Sequence, residues 1–406
     1  MKKIFLLSTL LNVFTFFTLG NVIYAHGYEF GDVAKTPNPI HSVHQDEHRT
    51  VYNAKQLETA LAIPSVHYII VDGQIFLHKT LAVGDKRVVI SGTRHAQITA
   101  LPSLDNQGSV TIFNLAGNQP VEINHLILNT EDGDRYSKLI TNTRRISFNI
   151  DLENNTIDGL VNFQVHSSGS SNLKVINNNF SFADRPHRQK NMLVNALSAN
   201  VSSKQAVLNA DVENNSFSAP APQKNPLSAM TLLDQYGSLD ITNIIDNRVN
   251  IDDAGSSFSL YLGGGRFGTI HVIGGIENNQ FGQSSVLLAA DAKTTMLINK
   301  FVGNNSDGAQ VMFSEHGMPK KSSSGEYTIY GSAMTILTFN GNDFSRYSFD
   351  QQNPADMILI GINNGKTKEA GLAALSKYND GGVSNFNNIF GLVTIAANLG
   401  QAASQS

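Results

Sequence analysis

Four residues in one stretch of the chain have the side chains of acid–base hydrolysis: Asp252, Asp253, Arg266 and His271. A carboxylate pair can divide the roles of general acid and general base, with imidazole or guanidinium steadying developing charge. The stretch also contains Gly263-Gly264-Gly265, which reads equally well as the turn of a coil. No Gly-Lys-Ser/Thr follows those glycines, so they are not a phosphate-cradling loop. A second group is the basic run Asp184-Arg185-Pro186-His187-Arg188-Gln189-Lys190. Within it Arg185, Arg188 and Lys190 suit the carboxylates or sulfates of an acidic polysaccharide, because guanidinium forks match planar oxyanions. The alternative is a charged loop in water. A third group, His41, His44 and His48, offers neutral imidazoles of the kind that bind zinc, copper or nickel. It lies in a stretch with little apolar periodicity, where a solvated linker is the competing reading. No metal is assigned and no cofactor is implied.

Composition narrows the chemistry further. The 406 residues include no cysteine and no tryptophan, which removes thiol catalysis and cysteine-ligated metals. A net charge of −4 argues against a broad nucleic-acid surface. Only 15% of residues are charged, and polarity comes largely from Asn, Ser, Thr, Gln and Gly, which favour strands and turns over exposed helices.

The elements that must position these residues begin after the N-terminus. Lys2 and Lys3 precede an apolar run from Ile4 to Leu19, and Ala25 offers a small residue for cleavage before His26. Residues 1–25 therefore read as a secretory signal peptide, with a retained membrane anchor as the alternative. The mature chain is expected to lack a transmembrane domain and to be secreted, periplasmic or displayed at the cell surface. Residues 26–49 read as a His-containing linker. Asn53, with Gln56 three residues on and Pro64 beyond, predicts a helix over Ala54–Ala62 whose Leu57, Ala60 and Leu61 cover the end of a core. From Tyr68 onward short β-type runs alternate with turn residues, including Tyr68–Val71, Gln74–Leu77, Arg87–Ile90, Val110–Phe113, Val121–Leu128 and Arg145–Leu152.

Internal repetition decides the architecture. An Asn-x-hydrophobic element recurs at Asn155/Ile157, Asn178/Phe180, Asn215/Phe217, Asn247/Val249, Asn279/Phe281, Asn342/Phe344 and Asn388/Phe390, with a degraded copy at Asn304-Asn305. Asparagine tolerates the left-handed backbone of a sharp turn, and its amide can pair with an Asn one coil above and below. The hydrophobic residue two positions on then points into the core. Unequal spacings place insertions in loops, the longest at Asp184–Lys190, Ala219–Pro226, His316–Gly325 and Asn363–Gly382. Residues 399–406 are expected to be a disordered tail.

The helix-then-strand opening (VYNAKQLETAL, HYIIVDGQIFL, KRVVISG) and the repeated ENN turns resemble the right-handed β-helix superfamily, the pectate-lyase-like fold. The resemblance covers roughly residues 50–398. It implies an all-β, single-stranded, right-handed parallel β-helix solenoid with a short N-terminal capping helix. That fold hosts lyases, glycosidases, esterases, tailspikes and adhesins, so it leaves activity open. Asp184-Arg185-Pro186-His187-Arg188 has the wrong arginine spacing for the pectate-lyase motif. Asn129-Thr130-Glu131-Asp132 and Asp252-Asp253 are similar to polygalacturonase motifs, but Gly-His-Gly and Arg-Ile-Lys are absent. No family catalytic residue is carried over. Two expectations follow: an adhesin-like binding protein contacting glycans or a host surface, or a polysaccharide-acting lyase or hydrolase with carboxylates on neighbouring coils.

Overall fold

Apolar residues at every second position, interrupted by Asn-Asn and Gly-containing corners, fold here into stacked coils. The computed structural model describes residues 47–101, 111–131, 138–143, 145–182, 194–219, 227–251, 258–265 and 267–305, the strands Val311–Lys321, Tyr327–Tyr330 and Ala333–Asn340, and then Asn342 and Val393–Ile395. The strands fall into three sheets of twelve, ten and seven. The central coils visit them in turn. Ser170–Ile176 lies in the twelve-stranded sheet, Asn179–Ser181 in the seven-stranded sheet and Val194–Val201 in the ten-stranded sheet, before Val207–Glu213 re-enters the first. Pairing between coils is parallel, and the chain is a parallel β-helix.

The core is built of rows. Leu152, Val175, Val212, Ile244, Ile276 and Phe301 are register partners on successive coils, and all six are fully buried. Ile157, Phe180, Phe217, Val249 and Phe281 form the row predicted two residues after each ladder Asn, all buried. Phe180 and Phe217 stack at 4.6 Å between ring centroids with planes 9° apart. Phe344 and Phe390 lie outside the described residues.

The sharp corner divides its work between two residues, where the sequence reading gave both tasks to one asparagine. The first takes the left-handed backbone: Asn154, Asn177, Asn214, Asp246 and Asn278, with φ of 54–56°, and Gly303 at 66°. The second forms the ladder. Its Nδ2 donates to the Oδ1 of the next ladder residue at 2.9–3.2 Å, from Asn155 through Asn178, Asn215, Asn247, Asn279 and Asn304 to Asn342. Asn304 is thus a full member of the ladder, and the long gap in the repeat resolves into steps of 25 and 38 residues. At the other end the backbone N–H of Leu126 donates to Asn155 Oδ1 at 3.1 Å.

That corner also corrects a strand. The run Val121–Leu128 is two strands, Pro120–Asn124 and Ile127–Thr130, because His125 adopts φ 55° between them. An apolar residue, Leu126, stands where later coils carry the ladder Asn, so the turn has no sequence mark. The segment read as a loop at His316–Gly325 is partly strand: Val311–Lys321 runs through it, and Met318–Lys321 pairs antiparallel with Tyr327–Tyr330. Among the described residues strand pairing begins at Glu47, inside the stretch read as a linker.

The helix Ala54–Ala62 (α1) closes the first coil as predicted. Asn53 Oδ1 accepts from Gln56 N at 3.0 Å, and Gln56 Oε1 accepts from Tyr52 N at 2.8 Å. Leu57, Ala60 and Leu61 are buried against the core end. Lys86, absent from the sequence reading, caps the other terminus: its Nζ donates to the carbonyls of Ala60, Ile63 and Val66 at 2.9, 2.8 and 3.0 Å. Burial lowers the Lys86 pKa. No helix among the described residues is long and apolar enough to cross a membrane.

Candidate functional site

Most residues singled out from the sequence fall outside the described part of the chain: Arg185, Arg188, Lys190, Asp252, Asp253, Arg266, His41 and His44. His271 lies in the twelve-stranded sheet, with Asp240 and Leu297 as register partners. His48 lies in the first strand, its ring stacked on Tyr68 at 4.5 Å and 7°. Among the described residues no three His, Cys, Asp or Glu side chains are placed to hold a metal ion.

The outward face of the twelve-stranded sheet carries a charged cluster that the sequence reading missed. Glu122, Asp151, Lys174, Asp211 and Asn243 are register partners on five coils. Glu153 and Glu213 stand two residues beyond Asp151 and Asp211, on the same face by the two-residue period of a strand. Lys174 Nζ donates to Asp151 Oδ2 at 2.8 Å and to Glu153 Oε1 at 2.6 Å. Burial alone would lower its pKa, but those two hydrogen bonds outweigh it and hold the ammonium above its ordinary value. Burial raises the Asp151 carboxyl despite Lys174, with Glu153 and Glu122 adding repulsion. Asp211 is pushed up to about 6, first by burial and then by the charge and hydrogen bond of Glu213. The Oδ1 atoms of both aspartates are buried without a hydrogen-bond partner among the described residues.

A signal for this column exists in the sequence. Asp151, Lys174, Asp211 and Asn243 each stand four residues before a ladder asparagine. Alignment on the ladder, rather than a search for local motifs, brings them together.

The outward column of the ten-stranded sheet is chemically different. Asn114, Thr141, Asn162, Ser198, Thr231 and Tyr261 are register partners on six successive coils, and none is charged. Asn162 Nδ2 donates to Ser198 Oγ at 2.5 Å, Asn114 Nδ2 to Thr143 Oγ1 at 3.0 Å and Thr231 Oγ1 to Asn195 Oδ1 at 2.9 Å. Ser198 and Thr231 are short and nearly buried, whereas Asn162 and Tyr261 on either side are longer and half-buried. This leaves a recessed polar stretch, a shallow trough, between Asn162 and Tyr261. Tyr261 lies over Gly263, where an added Cβ would meet the ring at 2.6 Å.

At the corner joining these two sheets, Tyr236 and Phe267 stack at 6.3 Å, with Lys293 Nζ 5.2 Å from the Phe267 ring centre. Phe267 is 46% exposed. Beneath them Asp234 is fully buried. It accepts the backbone N–H groups of Tyr236 and Gly237 at 3.1 and 2.7 Å and that of Thr269 at 2.7 Å. Burial raises its pKa and the three donors oppose the rise, so Asp234 serves as a structural tie between two coils.

No known family model and no curated protein matches this chain.

Proposed function

We propose that this chain is a secreted or surface-exposed β-helical binding protein, adhesin-like, that contacts glycans through the trough of the ten-stranded sheet. The observation that carries the proposal is the uncharged column Asn114, Thr141, Asn162, Ser198, Thr231 and Tyr261. Sugar hydroxyls donate and accept at once, and amide and hydroxyl side chains do the same. Charged groups there would lose solvation on contact with a neutral ligand. Successive coils, about 4.8 Å apart, repeat the contact along a chain-like partner. The apolar N-terminal segment supports secretion, and the parallel coils with their asparagine ladder support membership of the pectate-lyase-like right-handed β-helix fold. A glycan array probed with the mature protein tests the reading. Binding to one or more neutral oligosaccharides is expected, and an array without any bound glycan would overturn it.

A second reading, a polysaccharide-acting lyase or hydrolase, is favoured by one observation. Asp151 and Asp211 flank Lys174, and burial pushes the Asp211 carboxyl up to about 6, the direction a general acid needs. The two aspartates stand two coils apart, roughly 10 Å along the axis, with Lys174 between them. Product analysis after incubation with neutral and acidic polysaccharides tests it. Cleavage that Asp211→Asn abolishes would establish the enzyme, and no cleavage of any substrate would remove it.

A further inference from the structure

A concavity lies where the chain turns from the ten-stranded to the twelve-stranded sheet. Thr141 and Asn162 belong to the trough, and four residues after them come Arg145 and His166. Arg145 lines two adjoining hollows of about 460 and 500 Å³, which share Arg145, Ser167 and Ser168. Both are open to solvent and wide enough to seat one face of a small polar molecule.

Polar groups cluster around this space. Ser147 and Ser167 place their hydroxyl oxygens 2.8 Å apart, and Ser202 Oγ lies 2.6 Å from His166 Nδ1, which fixes the imidazole. Arg145 is exposed and makes no hydrogen bond or ion pair among the described residues. Its backbone has φ 73°, a conformation that side chains other than glycine seldom adopt and that is retained where surroundings or function demand it. Across the hollow, Asp85 Oδ1 is engaged by the backbone N–H groups of Asn118 and Gln119 at 3.0 and 3.3 Å. The walls are close: a Cβ at Gly169 would sit 2.6 Å from Ser147 Oγ. On later coils the same corner carries the exposed Lys204 and Lys293.

We propose that this concavity holds the oxyanion of an acidic sugar residue, a carboxylate or a sulfate, on the Arg145 guanidinium. The serine hydroxyls and His166 engage the hydroxyls of the same ring. A guanidinium fork presents two parallel N–H donors to either oxyanion. The sugar part of this inference rests on the glycan-binding reading, whereas the oxyanion contact stands on Arg145. A glycan lying in the neutral trough would therefore place a charged residue at the corner and gain selectivity there.

The test is titration calorimetry of the mature chain with three oligosaccharides of equal length: neutral, uronate-containing and sulfated. At low salt the wild type is expected to bind at least one acidic oligosaccharide ten-fold or more tightly than the neutral one, and the arm that does so names the anion. Arg145→Gly should abolish that preference and leave neutral binding unchanged. Its unfolding midpoint should be unchanged or higher, because glycine accepts φ 73° without strain. Arg145→Lys should retain part of the preference. Equal wild-type affinity for all three, or undiminished acidic binding by Arg145→Gly, would overturn the inference. Acidic binding through Arg145 without neutral binding would uphold it and sink the trough. If none of the three binds, both fall.

Discussion

Asn214 and Asn215 are chain neighbours with opposite demands. Asn214 supplies a left-handed corner at φ 54°. Asn215 is buried; its Nδ2 donates to Val175 O at 2.8 Å and Asn247 Oδ1 at 3.0 Å, while its Oδ1 accepts from Asn178 N and Nδ2. Asn215→Ala strands buried partners on both adjacent coils and should cost about 3 kcal/mol, read from the urea midpoint. Asn214→Gly should stay within about 0.5 kcal/mol of wild type, whereas Asn214→Val should cost about 1–2 kcal/mol. Equal losses at the two positions would contradict the division of labour. Asp211 adds a pH signature. Its folded pKa, about 6, lies above the ordinary carboxylate value. The folded state therefore holds this proton where the unfolded chain has lost it, and the Asp211 contribution to stability falls as pH rises from about 4 to 6. Asp211→Asn should flatten that slope in unfolding curves measured across the interval. The asparagine repeat was legible because seven copies share one offset. Arg145 was not, since a single arginine beside Arg144 has no motif, and only the fold brings it to His166 and Ser167.

At the scale of elements, the first coil is closed by α1 and the interior by stacked rings. Both ends of the helix are held by side chains, Asn53 at its start and Lys86 at its end. Lys86→Ala removes three charge-assisted hydrogen bonds and should destabilise the protein by about 2 kcal/mol, checked by thermal unfolding; an unchanged midpoint would show that the carbonyls are satisfied by water. Phe217→Ala opens the core beside Phe180 and should cost about 3–5 kcal/mol. The helix was readable because its cap is local: Asn53, Gln56 and Pro64 lie within twelve residues. Lys86 was not, since it reaches the helix from 26 residues away. The corner at His125 was hidden for a different reason. Neither His125 nor Leu126 belongs to the turn vocabulary, and the coil below enforces the bend through Asn155.

On the scale of the whole molecule, the stacked register turns residues distant in sequence into columns, and the two long sheets carry contrasting columns on their outward faces. One is neutral and trough-shaped, the other a carboxylate row bridged by Lys174. The most direct test pits them against each other. Titration calorimetry would use a neutral oligosaccharide selected on the array with three proteins: wild type, Ser198→Lys/Thr231→Lys, and Asp151→Asn/Asp211→Asn. Both lysines replace short residues of the outward column, and equal unfolding midpoints for the three proteins establish that the fold is kept; the asparagines leave the trough untouched. Binding should fall at least ten-fold in the lysine variant and stay within two-fold in the asparagine variant, about 1.4 and 0.4 kcal/mol. Binding retained by the lysine variant and lost by the asparagine variant would contradict the trough and place the ligand on the carboxylate face.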